Sequence, residues 1–285
     1  MPVEQFESPQ PETLKSPRSF DVVFARHAAY QTGGEGMPEE AVGWLTPEGV
    51  KQSQQLGRWI FQEAIKSGKP TDILFISSPA AYEDKTGKLY GRRAEQTANE
   101  AMAQILELAQ SLPDNQLRLL GPVPKKQPET PYTQRLVEPD IHYIASADNP
   151  RAYFEKQVEK FGTQPDESTG KIGRKEGYLR GDEEVDAVVE QIGAETAVDV
   201  ATRTQSVVKD MKHLADVHQK HYPDRKFMVV LVTHDDVVRS FAQNIMGAGE
   251  QAHGYLPANT ETLQLHIQGD SARMEFKGNV YNKPI

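Results

Sequence analysis

Short, almost wholly apolar runs alternate along the chain with longer stretches in which apolar residues recur every three or four positions. Residues 20–25 (FDVVFA), 72–77 (DILFIS) and 227–233 (FMVVLVT) are runs of the first kind, rich in Val, Ile, Leu and Phe. A strand buried on both faces reads this way, whereas a half-exposed strand would alternate. Residues 45–68, LTPEGVKQSQQLGRWIFQEAIKSG, are of the second kind, with Leu56, Trp59, Ile60 and Ala64 at helical spacing. Thr46 suits the N-cap of that helix, Pro47 its first turn and Gly68 its stop. The same pattern predicts helices over 93–109, from 195 to about 221, and over 236–246. Residues 262–267 alternate like a closing strand, and 272–276 offer it a partner.

Strands that alternate with helices predict an α/β fold: a three-layer sandwich with a mainly parallel central sheet flanked by helices, binding its ligand beyond the carboxyl ends of the strands. One domain is expected over 20–285. Residues 1–19, with Pro2, Pro9, Pro11 and Pro17 among polar neighbours, read as a flexible tail. Two insertions are expected, near 80–92 and 139–190. The second is polar and holds five glycines between 162 and 181, so an inserted lid region is the natural reading.

Composition narrows the function classes. A net charge of -9 over 285 residues argues against a nucleic-acid partner, which needs a basic face to displace counterions. The longest apolar run, 227–232, is far too short for a membrane span, so neither a membrane partner nor a transmembrane address is expected. Without a signal-like N-terminus the expected location is cytoplasmic. The absence of Cys removes disulfides, Cys-ligated zinc and thiol nucleophiles together.

The ends of the apolar runs carry the candidate chemistry. The first stops on Arg26-His27, the second on Ser77-Ser78-Pro79 with Arg93 opening a helix further on, and the third on Thr233-His234. An isolated Arg-His at a strand end is ordinarily a structural pair, but the set changes that reading. Transfer of a phosphoryl group rests on in-line positioning and on stabilising charge spread over its oxygens. Two Arg could clamp the group with their planar forks while a neutral imidazole attacks phosphorus and a second, protonated one balances charge. A helix N-terminus beside His234 would add backbone N–H groups.

In this ordered set the chain resembles the histidine phosphatase superfamily, which includes the cofactor-dependent phosphoglycerate mutases. Arg26-His27-Ala28 matches its Arg-His-Gly motif with Ala in place of Gly. Its Leu-Thr-x-x-Gly-x-x-Gln segment looks like residues 45–52, its Ser-Ser-Pro like 77–79, its Arg-Ala-x-Gln-Thr-Ala like 93–98, and its late His like His234. The resemblance implies that His27 is the nucleophile that becomes phosphohistidine, and that Arg26, Arg93 and His234 complete the phosphate pocket, with no cofactor and no metal. It further implies a general acid. In the mutase-like branch this follows a Leu-x motif, which points to Glu138 after Leu136-Val137. In the acid-phosphatase branch it follows the late His, which points to Asp235. Glu138 is favoured, because the chain lacks the extended motif of the acid phosphatases and its Glu195-Thr196 with Arg203 resembles a Glu-Ser segment of the mutase-like branch. N-capping is the bland role for Asp235 and Asp236.

Departures from the pattern open alternatives. The insertion after Pro79 makes Arg92 a rival of Arg93, which is preferred because it directly precedes Ala-x-Gln-Thr. Lys171, Arg174, Lys175 and Arg180 could meet a distal anionic group or could simply be solvated. His213, His218 and His221 read as a solvated helix end rather than a metal site. Trp44 and Trp59 read as packing residues, with Trp44 near enough to the loop after His27 to touch a substrate. The expected function is hydrolysis of a phosphomonoester, on a small molecule or a phosphoprotein, through phosphohistidine. The alternatives are mutase-type phosphoryl transfer and a catalytically silent phospholigand-binding protein.

Overall fold

The three apolar runs lie side by side at the centre of one sheet. The computed structural model describes residues 19–31, 43–79, 82–83, 89–90, 92–120, 136, 195–249 and 257–285. In chain order these form β1 (Ser19–Arg26), α1 (Pro47–Ile65), β2 (Thr71–Ser77), β3 (Tyr82–Glu83), β4 (Leu89–Tyr90), α2 (Arg93–Ala109), β5 (Leu117–Leu120), α3 (Ala197–His221), β6 (Lys226–Thr233), α4 (Asp235–Ser240), a π-turn (Phe241–Ile245), β7 (Thr262–Gln268), β8 (Ser271–Phe276) and β9 (Asn279–Pro284). Seven strands make the main sheet in the order β5-β2-β6-β1-β7-β8-β9, and β3 pairs with β4 in a separate two-stranded ladder.

Alternate residues of the central strands feed two cores. Val23, Ala25, Ile73, Phe75, Val230 and Val232 face α1 and α2 through Leu56, Ile60, Ala98 and Ile105. Val22, Phe24, Val229 and Leu231 face α3, α4 and the π-turn through Val207, Val208, Val237 and Phe241. Covered on both faces, all seven residues of β2 are buried, which is why its sequence does not alternate. Gly57 lets α1 approach α2, since a Cβ there would stand 2.5 Å from the Ala101 carbonyl oxygen.

The sheet departs from the expected, mainly parallel one. β5, β2, β6 and β1 are parallel neighbours, whereas β1–β7, β7–β8 and β8–β9 are antiparallel. For the last two pairs the cause is connection length: two-residue turns, with Gly269 and Gly278 at positive φ, join β7 to β8 and β8 to β9, and a parallel pair cannot be joined so tightly. α1 has its expected cap, with the Thr46 side chain accepting the Gly49 N–H at 3.0 Å, and Gly68 follows its last turn at φ 69°. α2 has the expected bounds. The predicted last helix begins one residue earlier, at Asp235, and its second half is π-helical. Of the expected tail, Ser19 belongs to β1 and the rest lies outside the described residues, as do most of the 80–92 insertion and the whole 139–190 lid region. Among the described residues no helix is long and apolar enough to cross a membrane.

At the amino end of β2, opposite the catalytic candidates, Asp72 is fully buried in a cationic cradle. Arg118 reaches its carboxylate at 2.8 and 2.5 Å, Arg225 donates from Nε at 2.7 Å, and His218 Nε2 lies 2.7 Å away. His218 therefore belongs to a buried structural cluster instead of the solvated helix end expected of it. Burial alone would push the Asp72 carboxyl up; the hydrogen bonds from Arg118, Arg225 and His218 outweigh it and hold the group at about 2. An aspartate depressed in the fold contributes stability that is complete above its unfolded value near 4 and is lost as pH falls through about 2, on the order of 2 kcal/mol in all. Asp72→Ala leaves two guanidinium groups without their buried partner and is expected to cost about 3 kcal/mol or more in urea unfolding at pH 7. Against wild type, that penalty shrinks as the pH of the unfolding series is lowered from 4 toward 2.

Candidate active site

Parallel register brings the strand ends together. Arg26 at the end of β1 lies opposite Thr233 at the end of β6, so His27 and His234 leave adjacent strands side by side. The His27 N–H donates to the Thr233 carbonyl at 2.8 Å. On the other side of β6, Ser78 follows β2 and donates its N–H to the Val232 carbonyl at 2.8 Å. Arg93, the first residue of α2, reaches across this row from above.

Hydrogen bonding fixes the tautomer of each histidine. The Ala28 carbonyl, 2.8 Å from His27 Nδ1, can only accept, so Nδ1 carries the proton and Nε2 the lone pair. That lone pair accepts Arg93 Nε–H at 3.1 Å. His234 is the mirror case: Nδ1 faces Arg93 Nη2 at 3.3 Å and must accept, leaving Nε2–H to donate to Ser78 Oγ at 3.0 Å. The two rings are 5.2 Å apart, and one guanidinium serves both.

The loop carrying His27 is held by the residues of the two sequence motifs. The Ala28 N–H donates to Thr97 Oγ1 at 2.9 Å, and that hydroxyl donates to the Arg93 carbonyl at 2.7 Å. The Ala29 N–H donates to Gln52 Oε1, and the Leu45 N–H to Gln96 Oε1, each at 2.9 Å. A Cβ at Gly49 would stand 1.9 Å from the Ala29 carbonyl oxygen. The Gly, Gln and Thr of the motifs are thus the parts that seat the loop.

The remaining candidates divide. Arg26 is mostly buried, donates from Nη1 to the Pro257 carbonyl at 2.6 Å and lies 3.5 Å from Asp235 Oδ2 through Nη2, while its Nε has no partner among the described residues. Arg92 points outward and pairs with Glu95, so Arg93 is the arginine beside the histidines. Asp235 is buried against Arg26 and does not cap; the cap position is His234, without a side-chain cap hydrogen bond. Asp236 pairs with the buried Arg239. Glu138 and the four lid cations lie outside the described residues. Leu136, two positions before Glu138, is fully buried and accepts the Thr233 hydroxyl at 2.6 Å through its carbonyl. Arg203 forks onto Glu195 at 2.8 and 3.0 Å. Trp59, on α1, packs on the core, whereas Trp44 is half exposed. Among the described residues no group of three or more His, Asp or Glu could hold a metal ion. Sequence reasoning passed over Tyr30, whose ring meets His27 edge-on, and gave no separate role to Ser78 or Thr97.

Both imidazoles are pulled well below the ordinary range: His27 by burial, then by Arg93, His234 and Arg26, and His234 by burial, then by Arg93, Arg26 and Arg203. With only protein charges around them both are neutral at pH 7, unlike the one neutral and one charged ring foreseen from sequence. The unfolded chain takes up protons at both sites below about pH 6.5 and the folded one does not, so this pair lowers stability as pH drops through that value. Replacing Arg93 by Met removes the largest charge acting on each ring. Imidazole titrations followed by nitrogen-15 NMR are expected to show both midpoints raised in Arg93→Met and still below 6.5, because burial remains.

No protein-family model matches the chain, and no curated protein matches its sequence. Solved structures do. A phosphoglycerate mutase from Bacillus anthracis superposes with a TM-score of 0.53 at 15% identity, covering 93% of this chain and 95% of that one. A mycobacterial glucosyl-3-phosphoglycerate phosphatase gives 0.47 at 18% identity, covering 87% and 89%. The first of these matches carries the conclusion: the chain has the fold of a phosphoglycerate mutase.

Proposed function

We propose that the protein is a phosphomonoester hydrolase that works through a phosphohistidine at His27. The observation that carries this reading is the His27 ring itself: Nδ1 tied to a backbone carbonyl, Nε2 bearing the lone pair, and an arginine donating to that nitrogen. A structural histidine needs no such arrangement, whereas a nucleophile does. Phosphoryl oxygens, as stronger acceptors than an imidazole, take over the Arg93 N–H groups and leave Nε2 free for in-line attack. Their charge opposes that of Arg26 and Arg93, so His234 gains a proton and becomes a donor to the equatorial oxygens.

In the first step the Nε2 lone pair forms the N–P bond, the ester P–O bond breaks, and the leaving oxygen takes a proton from a carboxylic acid. In the second, water attacks phosphorus as that carboxylate accepts its proton, and Nε2 recovers its lone pair as phosphate departs. Glu138 is assigned as the acid. In support, Leu136 is anchored by Thr233, the residue before His234, while Asp235 is engaged as the counter-ion of Arg26. Mutase-type transfer uses the same first step and returns the phosphoryl group to substrate instead of water, and the fold match to a phosphoglycerate mutase speaks for that reading. The leaving group is a small molecule or a phosphoprotein.

Phosphate release from an aryl phosphate and from a panel of alkyl phosphates is expected without added metal and is abolished in His27→Ala; equal turnover by wild type and His27→Ala would end the proposal. Quenched turnover should trap acid-labile, base-stable phosphate on the wild-type protein alone. Rapid isomerisation of phosphoglycerates with little free phosphate would instead select the mutase. The acid is identified by leaving group: Glu138→Gln is expected to slow alkyl esters by roughly a hundredfold or more and an activated aryl ester much less. Asp235→Asn should slow both alike, through Arg26; the reverse pattern would make Asp235 the acid.

A further inference from the structure

Arg93 reaches both histidines only while its guanidinium plane is held, with Nε on His27 and Nη2 on His234. A side chain of that length has many rotamers to lose. Among the described residues an aromatic ring lies against it: the Arg93 Cζ is 4.4 Å from the centroid of Tyr30. The same ring meets His27 edge-on, with centroids 5.1 Å apart and planes at 79°. A cation over an aromatic face is attracted by the ring quadrupole, most strongly where water is sparse.

The backbone fixes Tyr30 in turn. Tyr30 and Leu45 form an antiparallel bridge, flanked by Gln31 N–H to the Trp44 carbonyl at 2.8 Å and Thr46 N–H to the Ala29 carbonyl at 3.1 Å. This is a non-hydrogen-bonded pair, in which side chains stand close on one face. Leu45 is tied by its own N–H to Gln96, in the first turn of the helix that Arg93 opens. Ring and guanidinium are therefore mounted on one framework. By the same alternation Leu45 shares the face of Tyr30 and Trp44 takes the opposite one.

We propose that Tyr30 is a positioning residue of this site, its ring fixing the Arg93 guanidinium in the one plane that serves both histidines, with no part for its hydroxyl. The idea rests on the phosphoryl-transfer reading for its purpose, though not for its geometry. It explains an aromatic residue in a loop otherwise built of small and polar positions, Ala28, Ala29 and Gln31.

The test uses the full-length protein with Tyr30→Phe, Tyr30→Leu and Tyr30→Gln, the last two giving independent non-aromatic replacements at a partly exposed position. Three quantities are read: thermal midpoint, affinity for inorganic phosphate by calorimetry, and the imidazole titrations by nitrogen-15 NMR. In Leu and Gln, phosphate binding is expected to weaken about five- to tenfold, and the His27 midpoint to rise as the arginine leaves it; Phe should stay within about twofold of wild type. Unchanged histidine titrations in both non-aromatic variants, or a Phe variant as impaired as they are, would overturn the proposal. A lowered thermal midpoint with intact titrations would reduce Tyr30 to packing and overturn it as well. If the wild type binds no phosphate, the functional reading fails, while the titrations still decide the role of Tyr30.

Discussion

Everything at the candidate site depends on the parallel pairing of β1 with β6. Because Arg26 is registered against Thr233, the next residue on each strand is a histidine, and the two rings emerge 5.2 Å apart. A shift of one residue would send one of them to the other face of the sheet. The register is held by burial: Val22, Val23, Phe24 and Ala25 on one strand and Val229 to Val232 on the other have essentially no exposed surface. A hydrophobic constraint over six residues thus fixes a polar geometry at its edge.

The two ends of the sheet use cations in opposite ways. At the amino end of β2, the guanidinium groups of Arg118 and Arg225 converge on a carboxylate that was built into the fold to meet them. At the carboxyl end, Arg93 converges on two imidazoles, and Arg26 lies 3.5 Å from the Asp235 carboxylate. The first arrangement is closed electrostatically. In the second, burial and then the arginines press both imidazoles toward the neutral form.

What the sequence made legible follows from where side chains face. Strands buried on both sides announce themselves, so β1, β2 and β6 were readable, as were the capped helix α1 and the amphipathic helix α2. β5 is four residues long and only partly buried, and β9 is largely exposed on both faces; neither leaves a pattern. The antiparallel pairing of β7, β8 and β9 is set by turn lengths, which a search for buried runs does not weigh. At the site, Arg26, His27, Arg93 and His234 stand at element ends and could be picked out by position. Tyr30 could not, because its contact to Arg93 crosses more than sixty positions of sequence and an aromatic in a loop carries no period. Ser78 was quoted only as part of a motif, its bond to His234 being a matter of register between β2 and β6.

The order of the strands has a consequence for how the molecule comes to be. β1 precedes every other strand of the sheet, yet its two neighbours, β6 and β7, are drawn from residues 226–233 and 262–268. During synthesis β2, β5 and the helix between them can assemble locally, while the strand that carries Arg26 waits for segments some two hundred residues downstream. Such distant closures are slow and leave an apolar strand exposed in the interim. His27 and His234 accordingly cannot meet until β6 has been made and has paired with β1.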